Sequence, residues 1–122
     1  MNDSDIERIE KATGIKLPEG YTSVIKSYPK ELLGTEAEDF GLLNNPESII
    51  EENISVRENS FFGEPWPDRY FIIGINGCGD YFVINHLKSD FSVGFADHEK
   101  MECNPYAENL ESFIQSYVHE TQ

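Results

Sequence analysis

The stretch Ile73-Gly-Ile-Asn-Gly-Cys-Gly-Asp-Tyr-Phe-Val-Ile-Asn85 sets three glycines around a cysteine and an aspartate, with apolar runs on both sides. Such a run can cradle a phosphate, hold a nucleophile on a tight turn, or bend a hairpin. A phosphate loop needs a helix N-terminus directly after its glycines, where free backbone N–H groups meet the anion. A nucleophile elbow needs strand, turn and helix, with one residue between the nucleophile and each glycine. Neither context is present. Gly77-Cys78-Gly79 is too tight for an elbow, and Tyr81-Phe-Val-Ile84 continues as a strand of β-branched and aromatic residues. The segment reads as a hairpin whose turn, Asn76 to Asp80, uses glycine at positive φ.

The flanks extend this reading. Tyr70 to Ile75, Tyr81 to Asn85 and Phe91 to Phe95 are strand-like, and Ser89-Asp90 suits a tight turn. Links this short cannot carry a crossover, so the strands form an antiparallel meander. Toward the N-terminus, Ser4-Asp5-Ile6-Glu7 reads as a capping box, Ile6 and Ile9 begin an apolar stripe, and Gly14 ends the helix. Pro18 opens a second helix with Tyr21, Val24, Ile25 and Tyr28 on one face, and Pro29 stops it. Phe40-Gly-Leu-Leu43 suggests a short strand. Asn44-Asn45-Pro46-Glu47 starts a third helix that runs through Ile49, Ile50, Asn53 and Ile54 to Arg57. Leu110, Phe113, Ile114, Tyr117 and Val118 mark a C-terminal helix. The expectation is an α+β fold, a single domain over 1–122, with the sheet at 70–95 packed by N-terminal and C-terminal helices.

Charge restricts the partners. Twenty-three Asp and Glu against nine Lys and Arg give a net −14. Nucleic acid and anionic membranes would meet a field of like sign, whereas a basic protein would be steered inward. The N-terminus lacks the basic-then-apolar pattern of a signal peptide, and no window is apolar enough to span a bilayer. Cys78 and Cys103 show no paired spacing and read as free thiols of a cytoplasmic protein.

Few residues invite chemistry. Asp97-His98-Glu99, with His86 as a second imidazole, is the best metal or acid–base candidate, but consecutive residues at a strand end point in different directions. A solvated turn explains them better, and no metal or cofactor is expected. His119 falls in the last helical turn, where it meets the dipole favourably. Cys78 has no basic neighbour in sequence to lower its pKa. Trp66, between Pro65 and Pro67, is either an exposed anchor or a lid over the core. The acids are more informative. From Glu31 to Glu58 there are eight acids and one base, net −7 and half of the total charge. Solubility does not require such concentration. It points to a binding surface formed by Glu36, Glu38, Asp39, Glu51, Glu52 and Glu58, with Asp97 and Trp66 secondary.

Several of these segments together resemble a known family. Ile15-Lys-Leu-Pro18-Glu-Gly-Tyr21 is similar to the family's entry between two helices, and Asn76-Gly-Cys-Gly79-Asp80-Tyr-Phe-Val-Ile84 to its glycine-rich "G-D" hairpin. Val93-Gly-Phe-Ala-Asp97-His98-Glu99 resembles its strand ending in a polar turn, and Asn109-Leu-Glu-Ser-Phe113-Ile-Gln-Ser-Tyr117 its closing helix. The family is the SUKH superfamily, the Smi/Knr-type domain. Gly20 and Tyr28-Pro29 depart from its usual pattern at the second helix. The resemblance implies helices on an antiparallel sheet and no catalytic activity. In bacteria it implies an immunity protein that neutralises a polymorphic toxin, often a nuclease; fungal relatives imply a regulatory interaction module instead. Contact residues do not transfer, because binding surfaces differ among members.

Overall fold

The computed structural model describes residues 1–34, 41–59, 65–76, 80–87, 92–97 and 102–121. Four helices and four strands follow one another as α1 (Asp3–Thr13), α2 (Glu19–Lys26), α3 (Pro46–Asn59), β1 (Tyr70–Ile75), β2 (Tyr81–Asn85), β3 (Val93–Asp97), β4 (Glu102–Ala107) and α4 (Leu110–Thr121). The strands form one antiparallel sheet in the order β1-β2-β3-β4. The α+β meander is as the sequence predicts, with one more strand than expected.

The opening stretch is the β1–β2 hairpin, with Ile75 opposite Tyr81 and Tyr70 opposite Asn85. Asn76 and Asp80 close its turn. The Asn76 amide donates to the Asp80 carbonyl, Asn76 Nδ2 to Asp80 Oδ2, and the Asp80 amide to Asn76 Oδ1, each at 3.0 Å. The expected positive-φ glycines between them lie outside the described residues. β1 and β2 are buried on both faces, which explains their continuous rather than alternating apolar runs.

On one face Phe71, Ile73, Phe82, Ile84 and Val93 join Ile6 and Ile9 of α1, Tyr21 and Ile25 of α2, and Leu110 and Phe113 of α4 in the main core. Tyr21 meets Phe71 edge-to-face at 5.8 Å, and burial raises its phenol pKa well above the usual range. On the other face Ile72, Val83 and Ala96 pack with Val56 and Trp66. Full burial of each such side chain contributes about 1.5–3 kcal/mol.

The α1 box sits two residues earlier than Ser4 suggests. Extended Asn2 (φ −104°) accepts from the Asp5 amide at 2.9 Å, and the Asp5 carboxylate accepts from the Asn2 amide at 3.2 Å. Ser4 is therefore inside the helix. The observed frame places Asp3 and Asp5 in the first turn, where their charge meets the positive end of the dipole. Gly14 ends α1 at φ 70°, as expected.

Two strand assignments change. Of Phe40–Leu43, Phe40 lies outside the described residues, Gly41 and Leu42 form a turn and bend, and Leu43 is not in a strand. The segment still serves the sheet, because the Leu43 amide donates to the Ile73 carbonyl at 3.0 Å. The third strand runs Val93–Asp97, ending two residues beyond the expected Phe95; Phe91 and the expected Ser89-Asp90 turn lie outside the described residues, and the fourth strand is new. Asn104-Pro105 reads locally as a turn, but a proline is tolerated on an edge strand or beside a bulge, and β4 provides both.

The outer border of β1 is finished by side chains. Asn53 Nδ2 donates to the Ile72 carbonyl at 3.0 Å, and Asn53 Oδ1 accepts from the Ile72 amide at 2.8 Å. Arg57 Nη2 and Trp66 Nε1 both donate to the Tyr70 carbonyl, at 2.8 and 2.9 Å. Backbone groups that would otherwise invite another strand are thus satisfied from within the chain.

Candidate functional site

Helix α3 forms a ridge beside the sheet. Its buried stripe is Ile49, Asn53 and Val56, which fixes the opposite face. Glu47, Glu51 and Glu58 fall at i, i+4 and i+11 on that face, and all three are exposed. Asn45 Oδ1 caps the helix by accepting from the Glu47 amide at 2.9 Å. Glu47 pairs with Arg8 of α1. Among the described residues Glu51 and Glu58 have no ionic partner. Like-charged side chains held on a rigid helix present a field and not merely a composition.

The predicted contact residues divide into three groups. Glu51 and Glu58 stand on the ridge. Glu52 lies to its side, half-buried, and hydrogen-bonds the Tyr81 hydroxyl. Burial chiefly, with the Glu52 charge and hydrogen bond, pushes the Tyr81 pKa up to about 12. Glu36, Glu38 and Asp39 lie outside the described residues. Asp97 does not join the ridge. It ends β3 and alternates with Ala96, which faces the Trp66 cluster, so Asp97 stands on the other side of the sheet.

Trp66 is corrected. Of its two readings the lid holds: the indole is 8% exposed, lies edge-to-face on Tyr81 at 5.8 Å and spends its N–H on the Tyr70 carbonyl. Covering Ile72, Val83 and Ala96 removes it from the exposed anchors. Sequence inspection missed Asn53, although a polar residue on the apolar stripe of α3 is a visible signal. It also missed Tyr81, whose role depends on a fold neighbour.

His98, Glu99 and Cys78 lie outside the described residues. His86 and Asp97 adjoin opposite ends of β2, since Ala96 pairs with Tyr81 and His86 follows Asn85. Along a strand of that length the ends are about 15 Å apart. His86 Nε2 instead engages the Asp68 carbonyl at 2.7 Å. Among the described residues no group of three His, Cys, Asp or Glu is placed to hold a metal. A groove of about 390 Å³ between α1 and α2 is lined by Asp3, Glu10, Lys16 and Lys26 among others. Within it Asp3 pairs with Lys26 at 2.6 Å, and Glu10 accepts from the Leu17 amide at 2.7 Å. No helix among the described residues is long and apolar enough to cross a membrane.

A four-stranded antiparallel meander packed by helices defines an α+β domain. The profile of the SMI1 / KNR4 family (SUKH-1) matches residues 1–116, and the chain belongs to that family. Domains of this family are generally non-enzymatic immunity or interaction modules, and membership is consistent with an immunity role. Comparisons with curated proteins and with solved structures each return no match. The departure at Tyr28-Pro29 is accommodated, because the Tyr28 hydroxyl donates to the Leu42 carbonyl.

Proposed function

We propose that this chain is an immunity protein of a bacterial cytoplasm, which binds a cognate polymorphic toxin and neutralises it without chemistry of its own. The toxin surface it covers is basic, as in a nuclease domain, and the acidic protein competes with the phosphates that such a surface is built to bind. Family membership over residues 1–116 supports the role, and the α3 ridge carries the choice of a basic partner. Glu51 and Glu58 present two carboxylates on a single helical face, and the chain as a whole carries −14. The contacts assigned are Glu51, Glu58 and Glu52 of α3, with Glu36, Glu38 and Asp39 from the same acidic run and Asp97 beyond it.

The test is co-purification with the product of the adjacent upstream gene, together with growth of cells expressing that product with and without this chain. Rescue with a stoichiometric complex is expected. A neighbouring toxin whose toxicity is unchanged by this chain would sink the proposal and leave a regulatory module of the same fold as the reading.

A further inference from the structure

Away from α3, the corner where β3, β4 and α4 meet carries, among the described residues, four interlocked rings. Phe82 is the hub, with ring centroids 5.4 Å from Phe95, 5.1 Å from Tyr106 and 5.0 Å from Phe113. Tyr106 closes the cluster at 6.1 Å from Phe95 and 5.8 Å from Phe113. Phe113 is fully buried and Phe95 half-buried, but Tyr106 is 39% exposed. Its ring is backed by three others, so a partner can use it without first restricting it.

Exposed acidic residues follow this ring along the chain. Asp97 shares the Phe95 face of β3 but pairs with Glu102, four residues before Tyr106 on β4, and so stands apart from this ring. Glu108 lies two residues beyond Tyr106, Glu111 sits in the first turn of α4, and both are exposed. A second copy of the chain is a poor occupant, because each corner would bring its acids against another molecule of net −14. A cationic, planar group satisfies both features. Guanidinium stacks on an aromatic face while its edge hydrogen-bonds carboxylate, which an ammonium does less well.

We propose that the Tyr106–Phe95 corner anchors an arginine-bearing basic segment of a protein partner. This deepens the immunity reading, on which the partner's identity rests, and adds a contact point separate from α3.

The probe is a blocked arginine-rich peptide, compared with its lysine and citrulline counterparts, titrated into the full chain and followed by NMR of the aromatic rings. The arginine peptide is expected to move the Tyr106 and Phe95 signals, the lysine peptide less, and citrulline not at all. Tyr106→Leu, which keeps apolar bulk but removes the π face, should weaken apparent affinity about two- to five-fold. Tyr106→Phe should retain it, and Glu108→Gln with Glu111→Gln should reduce its salt dependence. Unmoved ring signals, or a Tyr106→Leu variant that binds like the parent, would overturn the proposal. A toxin that ignores the chain removes the immunity reading and leaves these shifts intact; a bound toxin with silent rings does the reverse.

Discussion

Asn53 faces Ile72 across the border between α3 and β1 and takes up both of its outward backbone groups, as the next strand of a sheet would. The same side chain accepts from Arg57 Nη1 at 3.1 Å and donates back to the Ile49 carbonyl at 2.9 Å. It therefore ties the ridge to the sheet.

Replacing Asn53 by Leu would strand a buried donor and a buried acceptor on Ile72. Each costs about 1–3 kcal/mol, so we expect a loss of about 2–6 kcal/mol in urea unfolding. Ser55→Ala, on the solvent face of the same helix, should stay within about 0.5 kcal/mol.

The position of the α1 cap is testable by a pair of substitutions. Asn2→Ala should cost about 1 kcal/mol, because its oxygen holds the Asp5 amide. Ser4→Ala should be nearly neutral. Equal losses at both positions would mean that the helix starts in two frames.

Alkaline stability should fall in a defined window. The folded pKa of Tyr81 is about 12, and that of Tyr21 is raised further, whereas an unfolded tyrosine ionises near 10. Their contribution is complete below roughly pH 10 and is lost as pH rises through the folded values. Phenolate absorbance should show Tyr81 ionising late, and Glu52→Gln should bring its pKa down only part of the way, because burial is the larger cause.

The ridge should act mainly on encounter. Glu51→Lys with Glu58→Lys should slow association with the cognate toxin about ten-fold at low salt, with dissociation less affected. The difference should shrink as salt rises, since exposed charges are screened. Stopped-flow association across an ionic-strength series reads both effects.

What could be read from the sequence followed local pattern. The β1–β2 hairpin, Gly14 and the stripe of α2 each carry their signal within a few residues. β4 did not, because Pro105 argues locally against a strand and only its place at the edge of the sheet permits it. The acidic run was legible as composition, but its division was not. Glu51 and Glu58 face solvent while Glu52 turns to Tyr81, and that depends on how α3 rolls against β1. Trp66 was ambiguous for the same reason: what lies under an indole is a tertiary fact.

Asn53, Arg57, Trp66 and Leu43 complete one border of the sheet, and Pro105 interrupts the row of donors on the other. The described sheet is therefore a poor template for strand addition, and a visitor must read side chains instead of backbone. Side chains can be exchanged singly without disturbing a ladder. A domain finished in this way can acquire a new specificity through point substitutions on α3 or at the Tyr106 corner while its frame stays the same.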